Sequence, residues 1–535
     1  RFTHEIVFSS TNLLGYLAAS PGPQRLNDLL TRKVLRFDDL LKALDSLRQK
    51  GKTIVQSHGV FDLIHPGTIA HLDSAKQQGD VLVVTIIRDK HVRRGPGRPV
   101  FSEELRVNTV ASLEQVDFVS LVDDNIPFEC VKYTKPDVFA RGQSHGERDD
   151  KIHSKIFNEE RALYFGETRI HRTTGFSFSG SHFINNFLDI YPAETKAYLK
   201  AFSEKYSFSS IHDRLDKLKD SRVLLIGDGI IDEYNYCTAM GKSAKSHLVV
   251  SKYITHESFA GGAFAIANHL AGLCDEVSLI SLLGNEDSQE SFIVKLLKPN
   301  VRPTFFVKEH GPTIVKKRYI DQYLNQKTFE VNYIDESFLD GEQEERVLDH
   351  LKSVLDSYDL VLVSDFGHGF ITPRIKDTII RYARKYAVNT QTNAANAGYN
   401  MITRYSNPSF VCLDEPEVRL AAQDKYGIIE DVAMKIKKSV GADNLIVTLG
   451  KNGSLGINKD GEINHTPVFS TKVIDTIGAG DAFFAFTAPC FAREFPLDLT
   501  SFIGNAVGAL AVQIVGNKKS VEKHELLGFI DTILK

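Results

Sequence analysis

The chain has 535 residues, which at roughly 100–200 residues per domain gives about two to four domains. Hydrophobic residues make up 42% and charged residues 25%, the composition of an ordinary soluble globular protein. A net charge of -4 with mixed signs leaves no basic field, and no apolar run reaches membrane-span length, so neither nucleic acid nor a membrane is expected as partner.

Taken in chain order, residues 8–14 (FSSTNLL) echo residues 178–184 (FSGSHFI). Each segment is followed by a proline, a helical stretch and a strand entering a Gly turn. Residues 1–50 therefore read as a second copy of the tail and connector at 178–221, or as amphipathic helices matching by chance. No signal-peptide pattern opens the chain. Residues 53–60 (TIVQSHGV) and 81–87 (VLVVTII) read as buried strands, with a helix over 68–79 between them. That is a βαβ unit and implies a parallel sheet. Further strands are expected at 117–122 and 137–140. Residues 192–221 are polar with a helical period and read as a connector. A new strand at 222–228 (RVLLIGD) opens a second α/β block, followed by strands at 277–283, 359–365, 409–413 and 444–449. Five scattered cysteines (Cys130, Cys237, Cys274, Cys412, Cys490) form no CxxC pair, which excludes a zinc or disulfide framework and fits a reducing cytoplasm.

The strongest chemical signal is DTIGAGDAF at 475–483. Gly478 and Gly480 around Ala479 allow a tight turn whose N–H groups converge at a helix N-terminus, an anion site. Asp481, just after the turn, is placed to take a proton from an attacking hydroxyl. Phosphoryl transfer needs those two features beside a metal. The block resembles the ribokinase (PfkB) family of sugar kinases over nearly its whole length. The resemblance implies that Asp481 is the catalytic base and Gly478, Ala479 and Gly480 the anion hole. It implies that Asp232, Gly261, Gly262 and Asn268 hold the sugar, and that Thr448, Gly450, Gly453 and Asn505 line the ATP side. Glu417, in DEPE, matches the Glu of the family's Asn-x-x-Glu magnesium motif, with Asp414 where Asn is usual. ATP and Mg2+ are the implied phosphoryl donor and cofactor.

The segment HGVFDLIHPGT at 58–68 resembles the HxGH signature of cytidylyltransferase-like enzymes. GPGRPVFSEELR (95–106), the turn at Arg141-Gly142-Gln143 and the FSGS tail fit the same family. The resemblance implies that Gly59 and Phe61 shape a nucleotide loop, that His65 stabilises phosphate charge, and that Thr68 and Arg141 lie beside the nucleotide, which would be CTP or ATP. Thr68 replaces the second His of the signature, and Gly180 falls where the tail often supplies a hydroxyl. Losing one such donor costs about 10²–10³ in rate. His71, three residues on, is either a partial substitute or a packed His.

The expected fold is α/β, a Rossmann-like HxGH nucleotidyltransferase domain followed by a ribokinase-like α/β domain. The divisions are 1–50, a tail and connector from an upstream nucleotidyltransferase-like domain; 51–191, the cytidylyltransferase-like domain; 192–221, a helical connector; and 222–535, the kinase domain. An alternative for residues 1–20 is docking on the 50–192 domain, with Ser10 and Thr11 supplying the missing hydroxyl. The order of domains resembles bifunctional proteins related to heptose kinase/heptose-phosphate adenylyltransferases. Those kinases typically carry Asp-Pro-Lys where this chain has NTQTNAANAGYN (389–400). Two functions stay open. One is a bifunctional enzyme of nucleotide-sugar synthesis, phosphorylating a sugar or polyol and joining a sugar phosphate to a nucleotide with pyrophosphate release. The other is a sugar kinase with a degenerate nucleotidyltransferase fold used for binding or assembly. A cytoplasmic homo-oligomer acting on sugars and nucleotides is expected in both.

Overall fold

The computed structural model describes residues 30–92, 95–123, 129–142, 166, 168–173, 184–185, 188, 190–323, 326–393, 396–470 and 472–535. Contacts divide the chain into two units, Arg1–Pro192 with Asp531–Lys535, and Ala193–Ile530. The expectations for residues 1–20, for Gln143 and for Gly180 with its FSGS tail lie outside the described residues.

In the first unit, helix α1 (Phe37–Gln49) precedes strand β1 (Ile54–Gly59), helix α2 (Pro66–Lys76) and strand β2 (Val81–Ile87). Helix α3 (Glu103–Ala111), strand β3 (Phe118–Val122), helix α4 (Glu129–Thr134) and strands β4 (Val138–Gly142) and β5 (Arg169–Thr173) complete it. The sheet runs β3-β2-β1-β4-β5, all parallel. The near-continuous apolar run of β2, and in β1 Ile54 and Val55 with buried Gln56 and Ser57, fit strands covered on both faces; Val55, Leu82, Val84 and Ile86 pack against Leu72 of α2 and Val107 and Val110 of α3. Helix α2 begins two residues earlier than its apolar pattern suggests. Pro66 stands at its first turn, and the His65 ring caps it by accepting the Thr68 amide. Strand order turns at β1, so the loop after β1 opens onto the crevice where such sheets bind ligands.

The second unit starts with helices α5 (Ala193–Lys205) and α6 (Phe208–Asp216). They belong to this unit's packing: the Phe202 ring stacks on Phe502 at 3.9 Å, and the Tyr206 hydroxyl donates to Asp498 at 2.8 Å. Strands β6 (Val223–Gly227), β7 (Gly229–Lys242) and β8 (Val249–Gly262) lead to helix α7 (Ala263–Leu270) and strand β9 (Val277–Glu286). Helix α8 (Glu290–Leu296) is followed by β10 (Val301–Pro312), β11 (Val315–Asp321) and β12 (Gln326–Tyr333). Next come α9 (Gly341–Val354), β13 (Leu360–Asp365), α10 (Pro373–Tyr382) and β14 (Tyr386–Thr390). Then follow β15 (Phe410–Asp414), α11 (Glu415–Ala422), α12 (Ile429–Val440), β16 (Asn444–Thr448), β17 (Ser454–Ile457) and β18 (Ile463–Thr466). Helices α13 (Ala479–Ala492), α14 (Leu497–Ala511) and α15 (Lys523–Ile533) end the chain.

A nine-stranded sheet runs β10-β9-β6-β13-β14-β15-β16-β17-β18, parallel as far as β16 and antiparallel beyond it. Its central strands are buried throughout, and their Val, Leu and Ile side chains pack against α9, α10 and α12. A second sheet, β12-β11-β7-β8, stands apart. Its small core is Tyr234, Phe259 and Ile320, with Ile477 of the catalytic-type turn packed against it. The C-terminal ends of β13–β16, that second sheet and the start of α13 supply the walls of the site described next.

Candidate active site

A cavity of about 300 Å³ in the second unit is lined by Asp232, Gly262, Lys316, Asp414, Glu417, Thr448, Gly478, Gly480 and Asp481, among others. Residues nearly 250 positions apart in sequence meet here because β7 and α13 approach one crevice from opposite sides. Gly478 caps α13 with φ 81°, a left-handed conformation that side chains avoid. A Cβ there would also lie 1.9 Å from the Asn517 side-chain oxygen, so the position excludes any side chain twice over. The first-turn N–H groups of α13 have no partners within the helix, which makes the turn an anion cradle. Asn517 in turn donates its amide to Asp232 at 3.2 Å, tying the turn to the second sheet.

Asp481 is buried at the first turn of α13 and accepts the Gln391 amide at 2.8 Å. Burial, and next the negative charge of Asp232, push its pKa up to about 7. A carboxylate poised there is matched to proton abstraction near neutral pH. Asp232 is itself buried and paired with Arg318, which also binds Glu330 at 2.7 Å. Gly261 makes room for that carboxylate, since a Cβ would lie 2.4 Å from Asp232 Oδ2. Lys316, one pleat before Arg318 on β11, is buried and makes no contact ion pair among the described residues. Burial pushes its pKa down. It faces the cavity, where the charges of Asp232 and Glu330 act against that shift. Gln391, Lys316 and Arg318 escaped the sequence reading; they stand on β11 and at the end of β14, which carry no glycine-rich signature.

Asp414 and Glu417 form a capping box at the start of α11. Asp414 Oδ1 accepts the Glu417 amide at 2.8 Å, and Glu417 Oε2 accepts the Asp414 amide at 3.0 Å. Glu417 Oε1 accepts the Thr392 amide at 3.0 Å. An Asp caps a helix as well as an Asn does, which accounts for Asp414 in the metal motif. Burial, and then Asp414, push the Glu417 pKa up to about 8. Two carboxylates lining one cavity, with no ion-pair partner among the described residues, fit magnesium, which typically takes one or two carboxylates together with substrate phosphates.

Other expected residues stand elsewhere. Thr448 lines the cavity, but Gly450 and Gly453 lie outside its walls, shaping the turn after β16 with φ 56° and 86°. Asn505 is buried in α14, and its amide donates to the Ser454 hydroxyl at 2.6 Å and the Ser501 carbonyl at 2.8 Å. Asn268 accepts the Lys298 amide at 2.9 Å and donates to the Leu296 carbonyl at 3.0 Å. Neither is among the residues that line this cavity.

In the first unit Gly59 ends β1, paired with Ile86, and Phe61 adopts φ 51° in the turn that follows. Asp62 accepts the Val100 and Phe101 amides at 2.8 and 2.9 Å, fastening that turn to the 95–106 segment. Fully buried Arg106 binds the Val60, Ile87 and Phe101 carbonyls and Asp89, so the FSEELR motif clamps the loop. His65 Nδ1 accepts the Thr68 amide at 3.2 Å, which puts the neutral ring's proton on Nε2. Burial lowers its pKa. Arg141 lies on β4 opposite Arg172 of β5. His71 is no substitute for the missing signature His. Its nitrogens are engaged by Ser57 at 2.7 Å and Thr173 at 2.8 Å, and burial, with His171 nearby, pushes its pKa down to about 4.

A largely parallel nine-stranded sheet, a separate small sheet and an anion turn preceding a buried aspartate define a ribokinase-like kinase. The chain belongs to the pfkB family of carbohydrate kinases, matched over residues 222–524, and carries a cytidylyltransferase-like domain, matched over residues 57–161. Similar curated proteins include Bifunctional protein HldE of Trichlorobacter lovleyi, 24% identical over 311 residues, which are 57% of this chain and 62% of that protein. Bifunctional protein HldE of Helicobacter hepaticus is 25% identical over 319 residues, 59% of this chain and 64% of that protein. The chain thus spans less than two thirds of the length of these relatives. Phosphofructokinase-2 from Escherichia coli, solved in complex with substrates and products, matches with 14% identity and a TM-score of 0.49, covering 59% of this chain and all of that one.

Proposed function

We propose that the chain is a bifunctional enzyme of nucleotide-sugar synthesis whose pfkB unit phosphorylates a sugar or polyol hydroxyl with ATP. One observation carries this reading: Asp481, with its pKa near 7, shares one cavity with the anion turn, the buried cation Lys316 and the Asp414–Glu417 pair. Asp232 accepts hydrogen bonds from sugar hydroxyls and orients the acceptor. Asp481 takes the proton of the attacking hydroxyl as the oxygen approaches the terminal phosphoryl group. The N–H groups of 478–480 and the Lys316 ammonium stabilise charge on the transferring group. Glu417 and Asp414 would hold magnesium, which supplies charge neutralisation on the phosphates. Incubation of the purified chain with ATP and a panel of sugars and sugar phosphates, reading ADP, tests this. ADP formation with one acceptor class supports it, and none above background with any acceptor would sink it.

In the first unit the loop after β1 is the place for a nucleotide, with His65 at the start of α2 beside it. A second reading, a degenerate nucleotidyltransferase, is favoured by Thr68 and by the engaged His71 ring. Pyrophosphate release with CTP or ATP and a sugar phosphate separates the two. Five free, buried cysteines fit a reducing cytoplasm, and among the described residues no helix is long and apolar enough to cross a membrane. The second sheet exposes Val249, Tyr253, Phe329 and Tyr333, a face suited to a second copy of the chain. Light scattering of the purified protein reads that out.

A further inference from the structure

Asp475, six residues before Asp481, is buried where the four-stranded sheet meets the loops that flank the anion turn. Four donors converge on it. The Lys327 ammonium binds Oδ1 at 2.6 Å, and the Ile477 amide binds the same oxygen at 3.1 Å. The Tyr234 hydroxyl and the Gly516 amide bind Oδ2 at 2.8 and 2.9 Å. Ile477 and Gly516 are backbone points of the two loops that shape the anion turn: 475–480 itself, and the loop that ends in Asn517 beside Gly478. Lys327 and Tyr234 come from the other side, from β12 and β7 of the four-stranded sheet. The Lys327 ammonium lies 5.2 Å from the centre of the Tyr234 ring, so its own path to Asp475 is defined by packing.

Asp475 therefore joins the sheet that carries Asp232 to the turn that carries Asp481. The two backbone amides it accepts set the turn, and among the described residues its charge is met by one cation, Lys327, from an edge strand. Resting on the kinase reading above, we propose that Lys327 is a positioning residue for phosphoryl transfer. It holds Asp475, and through Asp475 the turn at 476–480, in the geometry that the transferred group requires. Lys327 touches neither acceptor nor nucleotide in this account; it acts through Asp475. Removing it leaves a buried carboxylate under-neutralised next to the anion cradle, which both loosens the turn and adds negative charge where phosphate must sit.

The test uses the full chain with Lys327→Ala, Lys327→Met and Lys327→Arg. Hydrogen exchange of peptides covering 475–480 and 512–517 is read without any substrate. Faster exchange there in the Ala and Met variants, with Arg close to the parent, is expected. In turnover assays the Ala and Met variants should lose kcat by about 10-fold to 10²-fold, the scale of a small misplacement. KM for the acceptor should change less than threefold. Ethylammonium ion should restore part of the Ala variant's turnover, and arginine most of the lost rate. Unchanged exchange in the two peptides overturns the proposal, and so does kcat within twofold of the parent. A parent chain with no kinase turnover at all speaks against the proposed function instead, and the exchange data still decide the role of Lys327.

Discussion

The side-chain amide of Gln391 donates to Asp481 at 2.8 Å, the one hydrogen bond that favours the ionised form of that carboxylate against its burial. Its removal has a definite sign. A hydrogen bond to the charged form lowers a carboxyl pKa, so without it the pKa rises. Gln391→Leu should therefore move the acid limb of kcat/KM to higher pH, while Asp481 still acts as base at alkaline pH. A pH–rate profile checks this; an acid limb at unchanged or lower pH would show that Gln391 does not tune Asp481.

Magnesium should bind with proton release. Glu417 stands with its pKa at about 8 beside Asp414, so near pH 7 it is largely protonated until a cation arrives. Calorimetry of Mg·ATP binding in buffers of different ionisation enthalpy should show release of a fraction of a proton in the parent. Glu417→Gln should release none and require more magnesium for half-maximal turnover. Gln keeps one acceptor oxygen for the Asp414 amide and loses the bond from the Thr392 amide, so the melting temperature should fall modestly, by the scale of one hydrogen bond.

Lys316→Met should lower kcat by about 10²-fold, the cost of one donor to a developing negative charge. Its side chain is similar in length and apolar, and burial already disfavours the charged amine, so the fold should not suffer. Turnover within a few-fold of the parent would remove Lys316 from the phosphoryl side of the cavity.

In the first unit, pyrophosphate release by the full chain should be weak with both CTP and ATP, and Thr68→His should increase it. His71→Asn should instead cost stability, about 1–3 kcal/mol, because Ser57 and Thr173 lose partners in a buried setting. Chemical denaturation reads that cost. If His71→Asn instead abolished pyrophosphate release with stability unchanged, His71 would be working on the nucleotide.

Strand positions at 53–60, 81–87, 277–283, 359–365, 409–413 and 444–449 were legible because a parallel strand buried on both faces is a short run rich in Val, Ile and Leu. The four-stranded sheet was not. In β12 all eight residues, QKTFEVNY, are exposed, and β8 is exposed from Val249 to His256, so no apolar run marks them. The anion turn and Asp481 were legible because Gly-Ala-Gly-Asp carries its chemistry in adjacent residues. Gln391, Lys316, Arg318 and Lys327 were not, since each owes its place to a partner at least 86 positions away in sequence or to the cavity itself. Asn268 and Asn505 were read from the family motif alone; in the fold their amides bond the Leu296 and Ser501 carbonyls, the Lys298 amide and the Ser454 hydroxyl.

The central claim is that Asp481 is the base of phosphoryl transfer, and kcat of the parent against Asp481→Asn, with ADP read out on the accepted sugar, tests it most directly. The account predicts a fall of at least about 10²-fold, with ATP binding retained. It also predicts a higher melting temperature for the variant at pH 8 than for the parent. The folded pKa near 7 lies above the unfolded value near 3.8, so the folded parent binds the extra proton and loses stability as pH rises through that window. Near-parental turnover in Asp481→Asn would contradict the account.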